Sequence, residues 1–592
     1  MEYHPPREQV PSAADRSALI WLMIAAGLLE AIYLAVAILS RYFGEATPGY
    51  ERPIVAVVGL LVGATCVYLM AQRLALQLPQ RGHLLVILLG AALLFRLTLL
   101  PSQPIQEVDI YRYLWDGAAT SSGVSPFRYS PKQVVAAHQA VVDDRAISLP
   151  DDLRKLAERC QQSPALAWIV RQVHYAELPT IYPPVSQAVF ALTALAMPDW
   201  VTLQGRLLVM KGVLVLFDLG TVVLIIYLLR VSGMHIGWVV AYAWSPLVMK
   251  EVAGSGHLDA IAVFFTTLAI VLVCRDLFLP HRLGNADRSM RHGRFFCGPA
   301  ISAAAVLALA VGAKLYPIVL APWILLAIGR RRGAAAAVVP GLVFSLLTVV
   351  LLFPMLPYSK TDRAVEARRT DSRIPDVADP RPPLPEEVAP FAANDPSLGL
   401  MTFLRRWEMN DLLFMIVREN LRPDRQLPPG ERAWFSIVPA HWRAAVTEPV
   451  ERACGLTPAG AAFLVTRLLT GFVFLVIAAW LALAPSDREP TAFLRAGFLT
   501  LAWFWLLAPT QNPWYWVWAM PLVAFARSRA WLAVGGLVLL YYLRFYFAYQ
   551  WPDQPIAGGP YAGACFYDYV VPWLEFGPWL VYLPVETAMR RR

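Results

Sequence analysis

Apolar runs of about 18–25 residues recur from one end of this chain to the other, and each, wound as a helix, is long enough to cross about 30 Å of hydrocarbon. Such segments must satisfy their backbone polar groups internally, so the expected fold is an all-α polytopic membrane protein. A soluble enzyme, a disordered chain and a disulfide scaffold are excluded. The composition agrees, with 57% hydrophobic and 16% charged residues. The runs lie near 18–39, 53–71, 83–100, 207–229, 236–250, 258–274, 298–313, 316–329, 333–353, 460–483, 491–508, 513–526, 530–548 and 571–586, about fourteen transmembrane or re-entrant helices. They divide the chain into N-terminal helices (1–100), a first long loop with short interfacial helices (101–200), membrane helices with polar tips (201–353), a second long loop (354–458) and C-terminal helices (459–592). Residues 1–17 are polar, and the first run carries Glu30 and ends at Ser40-Arg41 without a small-residue cleavage site, so no cleavable signal is expected.

The net charge of +9 comes mostly from arginines in short loops. It reads as topology rather than as a nucleic-acid footprint, and no nucleic-acid partner is expected. With the N-terminus inside, Arg73 and Arg81, Arg230, the cluster Arg275/Arg282/Arg288/Arg291/Arg294, Arg330 to Arg332, Arg488 and Arg495, Arg527 and Arg529, and Arg590 to Arg592 all fall inside. Short outer loops keep only Arg41, Arg52, Lys250 and Lys314. Both termini are then cytoplasmic, and 101–183 and 354–458 lie on the outer face. The six cysteines show no metal-ligand spacing, although Cys160, Cys454 and Cys565 fall outside the membrane, where a disulfide could form.

The same charges resolve three long runs as hairpins. Residues 298–329 are apolar between arginines that belong inside, so the run must go out and return. Its arms, of about 16 residues or about 24 Å, are short for full crossings. The tip is Ala313-Lys314-Leu315-Tyr316-Pro317, and Pro317 favours a break. Residues 496–526 have their tip at Pro509-Thr510-Gln511-Asn512-Pro513-Trp514-Tyr515, and 236–274 at Lys250-Glu251 through Gly254-Ser255-Gly256-His257-Leu258-Asp259. Three polar tips therefore rise to the face on which the first long loop opens, which predicts a site at the outer interface.

That loop carries Glu107-Val108-Asp109-Ile110-Tyr111-Arg112-Tyr113-Leu114-Trp115-Asp116-Gly117. Asp109, Arg112 and Asp116 share one helical face, and Val108, Tyr111, Trp115 and Ala118 another, so the stretch reads as an amphipathic helix lying on the membrane. Glu107 and Asp109 point apart on a helix. They can act together only if Glu107 sits in the lead-in turn with Asp109 near the N-cap. A second short helix is expected at about 185–197, after Tyr182-Pro183-Pro184. In the second loop, Trp407 and Asn410 lie in an amphipathic stretch, 397–420, suited to shape the site or act as a lid. The Pro- and charge-rich 360–396 reads as irregular and exposed.

The motifs "EVDIYRYLWDG", "GVSPFRYSP" and "LPTIYPPVSQAVF", followed by "SGHLDAIAVFF", "GAKLYPIVLAP", "FLRRWEMNDLLF" and "PTQNPWYWVWAMP", resemble a bacterial group of glycosyltransferases of the C superfamily (GT-C), mannosyltransferase-like and near family eighty-seven. The resemblance spans roughly 80–550. It departs from the group where Val108 separates two carboxylates that are often adjacent, and in having two spans before the loop. It implies a multi-pass protein of the bacterial inner (plasma) membrane, its active site facing the periplasm or cell exterior. That protein would move a hexose, mannose first, from a polyprenyl-phosphate sugar to an envelope glycan or glycolipid acceptor, with inversion. Asp109 would take the proton from the acceptor hydroxyl, with Glu107 beside it. Lys314, with His257 and Arg112, would meet the donor phosphate. Tyr113, Trp115, Asp116, Tyr182, Asp259, Trp407, Asn410, Gln511, Asn512, Trp514 and Tyr515 would bind substrate, amides taking sugar hydroxyls and rings its apolar face. No cofactor is implied. A monophosphate leaving group beside a lysine needs no divalent metal, and no carboxylate spacing demands one, although some GT-C enzymes use it. The rival class is a transporter or flippase for a lipid-linked sugar. It would place polar groups at the midplane on paired repeats, whereas the scattered intramembrane charges are Glu30, Arg96, Asp218 and Arg544.

Overall fold

The computed structural model describes residues 13–80, 82–144, 149–278, 298–357, 391–422, 432–484 and 488–591. The arginines at 81 and 282–294, most of the proline-rich linker and the polar start of the chain lie outside these residues. Among the described residues the chain is helical, with isolated bridges and no strand. Nine helices there are long and apolar enough to cross a membrane, and each coincides with an expected run.

The other five expected spans do not reach that standard, and their sequences say why. Gly298–Ala313 is helical but has only 16 residues. The run at 236–254 breaks into a 3-10 turn, two short α segments around Pro246 and a π-helical turn, Met249–Gly254. Residues 316–332 begin as a 3-10 turn at Pro317. Residues 513–526 fragment at Pro513 and Pro521. The final helix, Gly563–Arg591, carries three internal prolines. Each proline removes an intrahelical donor; at Pro246, Pro317, Pro513 and Pro521 the α-helix gives way to short segments and turns, whereas the final helix continues through its three prolines.

The first helices are α1 (Ala13–Leu39), α2 (Ile54–Gln77) and α3 (Gly82–Leu99), with α1 packed on both others. The first long loop folds into five short helices, α4 (Asp109–Ser121), α5 (Pro131–Val142), α6 (Asp151–Gln162), α7 (Pro164–Arg171) and α8 (Pro184–Leu195), before α9 (Leu203–Val231) crosses again. The position of α4 corrects the expected membrane-lying helix. Residues 110–119 are buried on every face, under α7, α8 and α9. Gly117 allows this burial, since a Cβ there would meet the Phe190 carbonyl oxygen of α8 at 2.5 Å. Helix α8 docks in turn on the 298–313 hairpin, where the Ser186 hydroxyl donates to the Ala313 carbonyl at 2.8 Å, and exposes Leu192 and Leu195 on its other side. Among the described residues Cys160, Cys454 and Cys565 form no disulfide with one another.

Two of the four intramembrane charges singled out in the sequence, Arg96 and Asp218, are paired with each other, Arg544 is paired with Asp568, and Glu30 is held by a hydroxyl. Arg96 Nε donates to Asp218 at 2.5 Å with both side chains fully buried, and the Tyr242 hydroxyl donates to the same carboxylate at 2.7 Å. Thr98 donates to Glu30 at 2.5 Å, and Arg544 bridges to Asp568 at 3.0 Å. Such a pair is costly to break from one side. Arg96→Leu alone is expected to cost about 3–5 kcal/mol by leaving the Asp218 charge buried, whereas Arg96→Leu with Asp218→Leu should recover most of it. Thermal unfolding in detergent checks this, and equal losses in the single and double variants would refute it.

Candidate active site

The 313–320 tip, the 509–515 tip and the first long loop converge on one cavity of about 980 Å³, whereas the third expected tip, 250–259, contributes no lining residue. Glu107, Asp109, Arg112, Tyr182, Lys314, Trp407, Asn512, Trp514 and Tyr515 all line it, from segments spread over 400 positions of sequence. Residues of membrane helices extend the wall, among them Leu315, Ile318, Val319, Phe474, Phe504 and Leu507.

The acidic motif meets the condition set by its spacing. Val108 is the N-cap of α4, Asp109 the first helical residue and Glu107 the lead-in. An acidic side chain there also faces the positive end of the helix dipole. The preceding Gln106 has φ of 65°, a left-handed conformation uncommon outside glycine, which turns the chain sharply into the motif. The Tyr182 hydroxyl donates to Asp109 Oδ2 at 3.1 Å, and the Tyr541 hydroxyl to Glu107 Oε1 at 2.9 Å. Burial pushes the Glu107 carboxyl up to about 7, with the Asp109 charge acting the same way and His257, Lys250 and the Tyr541 bond acting against it. The two carboxyls face the cavity together.

Lys314 is not the lone charge its hairpin suggested. Its Nζ lies 2.7 Å from Asp259 Oδ1, which also accepts from the Trp518 indole at 2.5 Å, and it sits over the Tyr515 ring, 4.4 Å from the centroid. Its side chain stays 14% exposed and reaches the cavity, while Asp259 is buried behind it. Asp259 therefore contacts the lysine rather than the cavity. His257 also sits one layer back, stacked on Trp514 at 4.4 Å with Nε2 3.2 Å from Glu251 Oε2. Glu251 accepts from the Tyr542 hydroxyl at 2.8 Å, and Lys250 bonds both Glu251 and Tyr542.

Several expected substrate residues serve the scaffold instead. Arg112 gives its two terminal nitrogens to the carbonyls of Leu178, His174 and Tyr175, fixing the loop that carries Tyr182. Asp116 accepts from Gln187 at 3.1 Å, and burial pushes its carboxyl up to about 6, against the opposing charge of Arg112. Tyr113 stacks on Phe190, and Trp115 is core. Asn410 has φ of 53° and spends its amide on the Gln511 carbonyl and Glu575. Gln511 donates to the Leu506 carbonyl, and its backbone pairs with Met409, joining the second loop to the 509–515 tip. Asn512 differs. Its side-chain oxygen is buried with no hydrogen-bond partner among the described residues, although the residue lines the cavity. An acceptor left this way costs free energy until a donor arrives, which suits a ligand hydroxyl or amide.

Sequence reasoning missed Tyr541, Trp518, the Lys250–Glu251–Tyr542 cluster and Arg467. Arg467 lies within the helix Pro458–Leu483 and lines the cavity, its guanidinium 5.9 Å from the Phe463 ring. A charge inside an apolar span was the available signal for it. Among the described residues no group of three or more His, Cys, Asp or Glu side chains converges as a metal site. No protein-family model matches the chain, and no curated protein or solved structure matches it.

Proposed function

We propose that this chain is a GT-C-like glycosyltransferase of the bacterial inner membrane, facing the periplasm or cell exterior. It moves a hexose, mannose first, from a polyprenyl-phosphate donor to an envelope glycan or glycolipid. The observation that carries this reading is one aromatic-walled cavity in which a carboxylate pair and a lysine come together, with apolar lining from membrane helices on the same surface. The acceptor hydroxyl gives its proton to Asp109 as its oxygen bonds to the anomeric carbon. The bond from that carbon to the phosphate oxygen breaks, and the electron pair leaves on polyprenyl phosphate, whose growing charge Lys314 neutralises. Attack from the face opposite the phosphate inverts the anomeric centre. Trp407, Trp514, Tyr515 and Tyr182 offer faces and edges to the sugar, and Asn512 Oδ1 takes a hydroxyl proton. The apolar lining suits the prenyl chain. The resemblance in motifs supports the same chemistry.

A transporter would need its polar groups free along a midplane path. The buried charges Arg96 and Asp218 are instead locked to each other. The test is incubation of the purified protein with radiolabelled polyprenyl-phosphate mannose and a cell lipid extract. Labelled product and released polyprenyl phosphate are expected. An intact donor under these conditions, together with donor movement across proteoliposomes, would establish transport instead.

A further inference from the structure

Polytopic proteins hold few cations in short outer loops, because the positive balance belongs inside. This sequence leaves four there, Arg41, Arg52, Lys250 and Lys314, and the fold gathers all of them at one place. Arg41, Arg52 and Lys314 line the cavity, and Lys250 stands behind Glu107. The first long loop adds Arg171 to the same lining, and Arg112, whose terminal nitrogens are already given to carbonyls.

These cations differ in what already holds them. Lys314 is paired with Asp259 at the tip between the membrane helices. Arg41 and Arg171 are exposed and have no carboxylate partner among the described residues. Arg52 gives Nη1 to Gln106 Oε1 at 2.9 Å and Nε to the Thr47 carbonyl at 3.3 Å, leaving its other terminal nitrogen uncommitted. The carboxylate of these segments that lines the cavity, Glu45, accepts from Gln172, the residue after Arg171. All three arginines belong to segments tied to the lead-in of the carboxylate pair or to α4, Arg41 through its neighbour Ser40, whose hydroxyl accepts from the Gln103 backbone at 3.0 Å. Gln106, the partner of Arg52, immediately precedes Glu107, and Arg171 ends α7, which packs on α4 through Trp168 and Tyr111 at 5.3 Å.

A base must face the hydroxyl it deprotonates, so the surface around Glu107 and Asp109 is where an acceptor sits. From this we infer that the acceptor is anionic, a phosphate-bearing glycan or glycolipid headgroup whose charge is met by Arg41, Arg52 and Arg171 while its hydroxyl reaches Asp109. Arginine suits this task, since its planar fork of donors matches phosphate oxygens in pairs. The arrangement also gives the two substrates separate cations, Lys314 for the donor phosphate and the arginines for the acceptor. Without that separation, an anionic acceptor and an anionic donor would compete for one site. The inference rests on the glycosyl-transfer reading, but its binding consequence can be measured apart from turnover.

The test measures binding to the purified full chain of three probes, octyl α-mannoside, octyl α-mannoside 6-phosphate and mannose 6-phosphate. The phosphorylated octyl probe should bind at least about 10-fold more tightly than the neutral one at low salt, with the advantage shrinking as salt screens the exposed arginines. Arg41→Gln with Arg171→Gln should remove the advantage. Lys155→Gln, on the exposed face of α6, and Lys314→Ala should both keep it. Mannose 6-phosphate binding as well as the octyl phosphate assigns a soluble glycan phosphate, and tight binding of the octyl form alone assigns a lipid headgroup. Equal binding of the neutral and phosphorylated octyl probes overturns the inference, as does an advantage that survives in the double variant or disappears in Lys314→Ala. Turnover of polyprenyl-phosphate mannose without this charge preference would sink the anionic acceptor alone. A charge preference without turnover would sink glycosyl transfer while leaving the anion site in place.

Discussion

Asp109→Asn is expected to lower kcat by about 10²–10⁴-fold while donor binding persists, the usual contribution of a positioned base. Asparagine keeps the size of the side chain and can still accept the hydroxyl of Tyr182, now 3.1 Å away, but it cannot take a proton at neutral pH. The loss should therefore fall on turnover rather than on assembly of the site. Glu107→Gln should cost less and leave a different trace. The Glu107 carboxyl, raised to about 7 by burial and by its acidic neighbour, is protonated below that pH and ionised above it. Each Glu107 that loses its proton places a second negative charge at the site, which favours withdrawal of the acceptor proton. Activity should then rise as pH passes through about 7 in the unsubstituted protein, and Glu107→Gln should flatten that limb. Single-turnover rates with labelled donor across this range decide the matter. Near-normal turnover in Asp109→Asn with a dead Glu107→Gln would transfer the base to Glu107.

Lys314→Ala is expected to raise the donor KM and lower kcat, for a combined loss of about 10–100-fold in kcat/KM, the range of one charge-assisted hydrogen bond. The lysine is held by Asp259, which also accepts a hydrogen bond from the Trp518 indole, so its ammonium is fixed in place before the donor arrives. Lys314→Arg should retain part of the activity. Because Lys314→Ala also leaves the buried Asp259 charge with one partner fewer, a loss of folding could imitate a loss of binding. Lys314→Ala with Asp259→Asn separates the two effects. It should restore thermal stability without restoring donor kinetics. Unchanged donor kinetics in Lys314→Ala would make the lysine a structural partner of Asp259 and nothing more.

The chain's helical, membrane-crossing character is written in its sequence, because hydrocarbon leaves a backbone few choices and hydropathy over about 20 residues reports them. The proline-broken tips at 313–317 and 509–515 were legible for the same local reason, since proline cannot continue a helix whatever surrounds it. The spacing of Glu107 and Asp109 set only a condition, Glu107 in the lead-in and Asp109 near the N-cap, and the start of α4 at Asp109 meets it. What the sequence left open is which polar side chains face the cavity and which are spent on the scaffold. Asp116 and Asn410 carry the same chemistry as the lining residues, yet an amide and a carbonyl far along the chain claim their hydrogen bonds, and Arg112, although it lines the cavity, spends its terminal nitrogens on carbonyls of the loop before Tyr182. The pairing of Lys314 with Asp259 spans 55 positions, and that of Glu107 with Tyr541 spans 434. Local periodicity carries no information about partners at such separations. They are decided where helices pack, by the close crossing of α4 over α8 at Gly117 and the docking of α8 against the 313 tip. The sequence thus determined the medium, the spans and the turns, while tertiary packing selected the few charges that remain available to a substrate.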